Sequence, residues 1–392
     1  MKRIVLKQGK DAPVRRYHPW VFSGAIAFKE EGVSDGDMVE VFSKEGAYLA
    51  TGHYQDSNIC VRLFSFQQTD AGLAFWIEKI RNARRYRELT GIIGAAATNC
   101  YRLIHAEGDG LPGLIVDVYD KTAVVQCHSI GMHRARLHIA QAILEVYGGA
   151  IEAVYDKSAE TLPNQYALTI ENGYLHGAKT AQVVHENGHL FQVDWETGQK
   201  TGFFLDQREN RRLVATYAAG KTLLNAFCYS GGFSIYALKA GAAHVDSVDS
   251  SKKAMELTNQ NVAINGFSDG AHQSHTDDVM HFLRQPRDAY DVVIIDPPAF
   301  AKNISKRHQA VQGYKRLNAL AIQKVKPGGI LFTFSCSQVV DKPLFYNTIV
   351  AAALEAERPV RLMHDLGQPA DHPVSLYHPE SAYLKGLALY VE

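Results

Sequence analysis

The sequence predicts an α/β protein: a small N-terminal β-barrel, a short α/β segment, and a C-terminal half built on a doubly wound, mostly parallel sheet. Three observations carry that prediction. Short alternating apolar runs fill residues 1–70, a strand–loop–helix–strand unit stands at Lys221–Asp249, and strands and helices keep alternating from there to Ser337. The boundaries read as 1–70, 71–182 and 183–392.

In the first segment the runs Met38–Phe42, Ala47–Gly52 and Ile59–Phe66 are punctuated by Gly32, Gly36, Gly46 and Gly52, the pattern of a rolled sheet. Arg15 and Arg16 precede Tyr17, Trp20 and Phe22. Cations beside rings suit an RNA edge, where one takes phosphates and the other stacks on bases. The more economical reading has Trp20 and Phe22 filling the barrel. An acid-poor helix over Trp76–Leu89 sets Arg81, Arg84 and Arg85 near one another, as on a wet face.

The middle segment shows no catalytic spacing and reads as a platform. A turn cluster at Gly108–Gly113 joins two apolar runs, followed by a strand at Ala123–His128 and a helix at Arg134–Tyr147. His185-Glu186-Asn187-Gly188-His189 spells the H-E-x-x-H of zinc proteases. That chemistry needs one continuous helix, whereas Asn-Gly between alternating runs is a hairpin turn, so no metal site is expected. Downstream, Phe203-Phe204-Leu205-Asp206-Gln207-Arg208 offers Arg208 to the carboxylate of an amino-acid-like ligand, or as decoration of a helix start.

Thr222–Phe227 is a strand that breaks at Ser230-Gly231-Gly232 and resumes as a helix ending at Gly241; a second strand then finishes on Asp249. The glycines allow a close backbone approach, the helix start presents N–H groups, and an acid about 20 residues on suits ribose hydroxyls. The loop lacks the third glycine of a dinucleotide fingerprint, which favours S-adenosyl-L-methionine. The wall of that site is read as Asn225, Phe227, Tyr229, Gly231, Asp249 for the ribose and Asp278 for the adenine amino group, with Asp277 as its alternative.

Asp296-Pro297-Pro298-Ala299-Phe300 closes the next strand. Prolines hold the chain extended beside the carboxylate, which suits the ring-nitrogen and amino edge of a base. Ala299–Arg316 then carries Lys302, Lys306, Arg307, Lys315 and Arg316 without an acid, a local charge fit for a phosphate backbone. Finally Lys326-Pro327-Gly328-Gly329 is expected to end a helix and feed a strand that runs out at Cys336, on the same sheet edge as Asp296. A thiolate there can add to carbon 6 of a cytosine and make carbon 5 nucleophilic, with Asp296 stabilising the charge that develops.

The whole chain bounds these readings. Its 392 residues are 46% hydrophobic and 21% charged, with 41 basic against 41 acidic side chains, so nothing global announces a polyanion binder. MKRIVLKQGK lacks a signal-peptide core and no apolar run approaches a membrane span, so a cytoplasmic protein with no membrane partner is expected. Five scattered cysteines read as reduced thiols.

NAFCYSGGFSIYAL, SVDSS, IDPPAF, GYKRLNALAI and FTFSCS, with KTGFFLDQR ahead of them, resemble the bacterial 23S ribosomal RNA cytosine-5 methyltransferases that carry an N-terminal PUA domain. RRYHPWVFSGAI and YRLIHAEGDGLPGLIVDVYD are similar to that family's first and central regions. The resemblance implies a PUA-like barrel, a central α/β domain and a Rossmann-like class I methyltransferase domain acting on 23S ribosomal RNA. It makes Cys336 the nucleophile and Asp296 the base-edge partner, with Arg15, Arg16, Lys302, Lys306 and Arg307 toward the RNA. Ala299 stands where two-cysteine relatives carry a second thiol, so the group assisting product release is unassigned. The implied partner is ribosomal RNA not yet in a fully assembled subunit, with a second copy of this chain as a further candidate. Methylation of a guanine nitrogen or exocyclic amino group, a non-catalytic assembly factor, and a nicotinamide-dependent oxidoreductase are the rival readings.

Overall fold

The computed structural model describes residues 1–267, 270–286, 288–301 and 303–392. It divides into two compact units: Met1–Val184, Val193–Leu205 and Ala370–Ser381 form one, His185–Gln192, Asp206–Pro369 and Ala382–Glu392 the other. Among the described residues no helix is long and apolar enough to cross a membrane.

The first unit holds two sheets. A six-stranded one runs in spatial order Trp20–Phe22, Ile59–Ser65, Tyr48–Tyr54, Met38–Phe42, Lys2–Leu6 and Ile26–Lys29. Alternation puts Ile4, Leu6, Val39, Val41, Val61 and Leu63 inside it. The same period corrects one expectation: Val21 is the inward residue of its strand, so Phe22 is 42% exposed and does not fill the barrel. Trp20 is half-buried, its indole N–H donating to Glu107 at 2.9 Å.

The second sheet of this unit orders Gly173–His176, Ala153–Asp156, Thr122–Cys127, Leu114–Tyr119 and Cys100–His105. Its core includes Trp76 and Ile80 from the helix Leu73–Leu89 and Ile139 and Ile143 from the helix Arg136–Tyr147. On the first helix Arg81 and Arg85 are exposed and Arg84 partly so, whereas Arg87 is fully buried and forks onto Asp109 while donating to the Asp371 carbonyl at 2.7 Å. A buried guanidinium is tolerated only when its donors are met in this way.

His185–His189 forms a hairpin turn between Val183–Glu186 and His189–Gln192. Asn187 and Gly188 sit at φ 50° and 78°, the left-handed pair that a two-residue hairpin requires.

In the second unit we number the strands in chain order: β1 Thr222–Ala226, β2 His244–Asp249, β3 His272–Thr276, β4 Tyr290–Ile295, β5 Val325–Ser335, β6 Val360–Leu366 and β7 Lys385–Val391. They form one sheet in the order β3-β2-β1-β4-β5-β7-β6, parallel except where β7 pairs antiparallel with β5 and β6. Its helices are α1 Arg208–Thr216, α2 Gly232–Lys239, α3 Lys252–Ile264, α4 Val279–Arg284, α5 Arg307–Gln323 and α6 Lys342–Glu355. Strand order reverses between β1 and β4, and in open α/β sheets ligands bind over the carboxyl ends at such a point.

One element differs from its sequence reading. Lys326-Pro327-Gly328-Gly329 does not stop a helix; α5 already ends at Gln323, and the four residues lie inside β5. They make an irregularity: Tyr290 pairs with Val325 but Val292 with Ile330, and Gly328 takes φ 79° to absorb the extra chain.

Candidate active site at the carboxyl edge of the sheet

The loop after β1 is tightly determined. Phe227 and Tyr229 adopt φ 60° and 47°, costly for non-glycine residues, and Gly231 caps α2 at φ 74°. A Cβ on Gly231 would stand 2.8 Å from the Thr258 methyl group. Side chains of α3 hold this shape: Thr258 donates to the Tyr229 carbonyl and Asn261 to the Ser230 carbonyl, each at 2.8 Å. Asp249, at the end of β2, accepts from the Tyr229 N–H at 3.1 Å and the Ser251 N–H at 2.9 Å. Asn225 is buried in β1 with its amide donating to Ser234 at 2.8 Å, while its buried Oδ1 has no partner among the described residues.

Of the other expected cofactor residues, Asp277 stands next to Asp249, its N–H donating to the Asp249 carbonyl at 3.1 Å. Asp278 is exposed and caps α4, accepting from the His281 N–H at 2.8 Å. Asp277 bonds the His281 ring at 2.9 Å. Arg208 opens α1, 2% exposed, in an ion pair with Glu186 at 3.3 Å.

Register brings Asp296 and Cys336 to one edge. Ile295 pairs with Ala226 on one side and Thr333 on the other, so Asp296 leaves the sheet beside the loop after β1. Cys336 follows Ser335, the last residue of β5, and is half-buried; the other four cysteines are buried. Asp296 accepts from the Gln207 amide at 2.9 Å. Burial, then the nearby Asp206 carboxylate, push it up to about 7, against the opposing pull of the Gln207 hydrogen bond and Arg211. At neutral pH it is therefore divided between acid and carboxylate. Asp206 itself accepts from the Tyr383 hydroxyl at 2.5 Å.

Helix α5 fixes the end of β5. Asn318 accepts from the Thr333 hydroxyl at 2.6 Å, and the Tyr314 hydroxyl meets that of Ser337 at 3.0 Å. Tyr314 also stacks on Phe300, ring centroids 4.5 Å apart, and Gly313 leaves room for that ring. The motif GYKRLNALAI thus serves the segment after β4 and the end of β5 together. Opposite Ser335 stands Lys385, buried, donating to the Ser337 carbonyl at 2.8 Å. Nothing near Cys336 in the sequence announces it.

Lys306 and Arg307 are exposed where α5 begins. Arg15 and Arg16 are exposed in the other unit, Arg15 paired with Asp11 at 2.6 Å. Lys302 lies outside the described residues.

The profile of the S-adenosylmethionine-dependent methyltransferase family matches residues 164–375, and that of a PUA-like domain matches residues 4–66. The chain belongs to the S-adenosylmethionine-dependent methyltransferases. This methyltransferase is 40% identical over 397 residues to ribosomal RNA large subunit methyltransferase I of Shewanella denitrificans, covering 99% of each chain. It is 38% identical over 394 residues to the protein of that name in Aeromonas hydrophila, covering 98% of each. Among solved structures it resembles a candidate SAM-dependent methyltransferase of Streptococcus mutans, at 22% identity and TM-score 0.85 over the whole of both chains. SMU.776, solved with SAH, aligns likewise at 22% identity and TM-score 0.86 over both whole chains. The residues fit the cofactor: the loop is held left-handed with Asp249 braced beside it, and among the described residues the buried Asn225 oxygen has no partner.

Proposed function

We propose that this methyltransferase transfers a methyl group to carbon 5 of a cytosine in 23S ribosomal RNA through a transient bond between Cys336 and carbon 6. The observation that carries the reading is the placement, on one sheet edge, of the half-buried Cys336 and a carboxyl group held near neutrality. Asp296 follows Ile295 and Cys336 follows Ser335, so both leave the carboxyl edge of neighbouring parallel strands, a placement that suits two groups meeting one pyrimidine ring.

Sγ adds to carbon 6 as thiolate, and the ring's electron pair moves toward N3. Asp296 in its acid form donates its proton toward N3, so charge is neutralised where it develops. Its Oδ2 is engaged by Gln207, which fixes the carboxyl plane. Bound S-adenosylmethionine supplies an electrophilic methyl group to carbon 5. The carbon 5 proton then passes to solvent, its C–H pair forms the C5=C6 double bond as the C6–S pair returns to sulfur, and N3 gives its proton back to Asp296. The target base must be unpaired or flipped, because carbon 6 is out of reach in a stacked helix.

Asn225, Phe227, Tyr229, Gly231 and Asp249 form the cofactor wall in this reading, with Asp278 and Arg208 as its outer members. Lys302, Lys306 and Arg307, with Arg15 and Arg16, take the RNA backbone. Ribosomal RNA as substrate is supported by the names of the full-length relatives. The test is nucleoside analysis of 23S ribosomal RNA after incubation with the purified chain and labelled S-adenosylmethionine. Labelled 5-methylcytidine is the expected product; a methylated guanosine with no methylcytidine would replace this reading with direct transfer by the Asp296-Pro297-Pro298 segment.

A further inference from the structure

The thiolate that this mechanism needs has no histidine supplied by the sequence, and an ordinary thiol is mostly protonated at neutral pH. Strand β7 returns antiparallel along β5 and sets Lys385 opposite Ser335. The lysine then reaches past the next residue, and its Nζ donates to the Ser337 carbonyl at 2.8 Å. The ammonium is thereby anchored at the carbonyl of the residue that follows Cys336. It is only 6% exposed, and among the described residues no carboxylate forms an ion pair with it. A buried ammonium without an anion is expensive, so something nearby must offset its charge.

The charged neighbours are few. Burial pushes Lys385 down to about 8, while Cys336 is the largest influence holding its proton on and Asp341 the second. From α5, the Tyr314 hydroxyl also faces this point; burial raises it, and a Cys336 charge raises it further. Lysine and thiol therefore share a corner in which one negative charge, placed on sulfur, relieves the lysine.

We propose that Lys385 is the positioning residue that activates Cys336, its side chain held in place by the Ser337 carbonyl so that its ammonium favours the thiolate. The S–H bond breaks, its electron pair stays on sulfur and its proton passes to water, leaving a thiolate beside the ammonium. The ammonium then holds the thiolate until it adds to carbon 6. This rests on Cys336 being the nucleophile, but its test does not.

The rate at which iodoacetamide alkylates Cys336 is measured against pH on the full chain, with the modified peptide quantified by mass spectrometry. Lys385→Met shifts the profile upward by about one pH unit, a roughly tenfold slower reaction at pH 7. Lys385→Arg keeps a permanent cation and reacts at pH 7 at least as fast as the parent chain. A merely structural lysine would leave the profile of Lys385→Met where it was, and that result overturns the proposal. Should Lys385→Met not fold, Lys385→Arg still decides: alkylation slowed tenfold at pH 7 in a folded arginine variant contradicts an electrostatic role. Methylation by Cys336→Ala tests the nucleophile separately, so a wrong nucleophile and a wrong partner give different outcomes.

Discussion

The hairpin around Glu186 and the turn around Cys336 each set a reactive-looking side chain at a strand end of the second unit, and they are built in opposite ways. Glu186 is fully buried and spent on structure. It accepts from Arg211 through both oxygens, at 2.9 and 2.8 Å, pairs with Arg208 at 3.3 Å and accepts from the Tyr236 hydroxyl at 3.0 Å. His189 stacks on the Tyr236 ring at 3.8 Å, facing the same structural cluster. Cys336 is half-buried on the ligand edge of the sheet, beside a carboxyl group and an amine both displaced toward neutrality. The metal-like letters of the hairpin therefore carry stability, whereas in the proposed reading the cysteine carries chemistry. What separates them is the address in the fold: a turn between antiparallel strands in one case, the switch-point edge of a parallel sheet in the other.

Substitutions sharpen that contrast. Cys336→Ala is expected to lower methylation by about a thousandfold or more, with S-adenosylmethionine affinity by isothermal titration unchanged within twofold. Glu186→Gln leaves two buried guanidinium groups without their anion and should cost about 3–5 kcal/mol in a denaturant titration. Dialysis against EDTA should leave both that stability and the activity unaltered, whereas a loss on chelation would return the hairpin to the metal reading.

Asp296→Asn should reduce methylation by about a hundredfold, because the amide cannot deliver a proton to the ring. It has the opposite effect on stability. The carboxyl group is raised from 3.8 to about 7, so between those values the folded chain keeps a proton that the unfolded chain has lost. Stability from this site is present below that window and falls as pH rises through it. The asparagine variant should therefore melt a few degrees, about 3 °C, above the parent at pH 8, with the gap closing toward pH 4. Gly231→Ala is the mildest case: a side chain at φ 74° and 2.8 Å from Thr258 should cost about 1–2 kcal/mol, read as roughly tenfold weaker S-adenosylmethionine binding.

The doubly wound sheet was legible because β1, β4 and the second half of β5 are local apolar runs and β2 alternates, each followed by a turn signal, and the strand ends at Asp249 and Asp296 follow directly. The Asn187-Gly188 turn was legible for the same reason, since two left-handed residues in sequence leave few alternatives. The lysine at the site was not: it arrives on β7, 48 residues beyond the Ser337 carbonyl it binds, and only antiparallel pairing with β5 reveals the meeting. Asp206 and Gln207 were visible as a helix start, but their effect on Asp296 depends on a contact 89 residues away in the chain. The inclusion of Val193–Leu205 and Ala370–Ser381 in the first unit was equally silent, as no local pattern marks a segment that leaves its neighbours to join another core. Period-two alternation would have turned Phe22 outward had Val21 been taken as the inward residue.

The most direct test is to incubate the chain with S-adenosylmethionine and a 23S ribosomal RNA fragment carrying 5-fluorocytosine, then locate any protein–RNA bond by mass spectrometry. Fluorine at carbon 5 leaves no proton to remove, so the C6–S bond should persist and the cross-linked peptide should contain Cys336. Methyl transfer to unsubstituted RNA under the same conditions, with no adduct on the fluorinated fragment or with one on a different residue, would contradict the account.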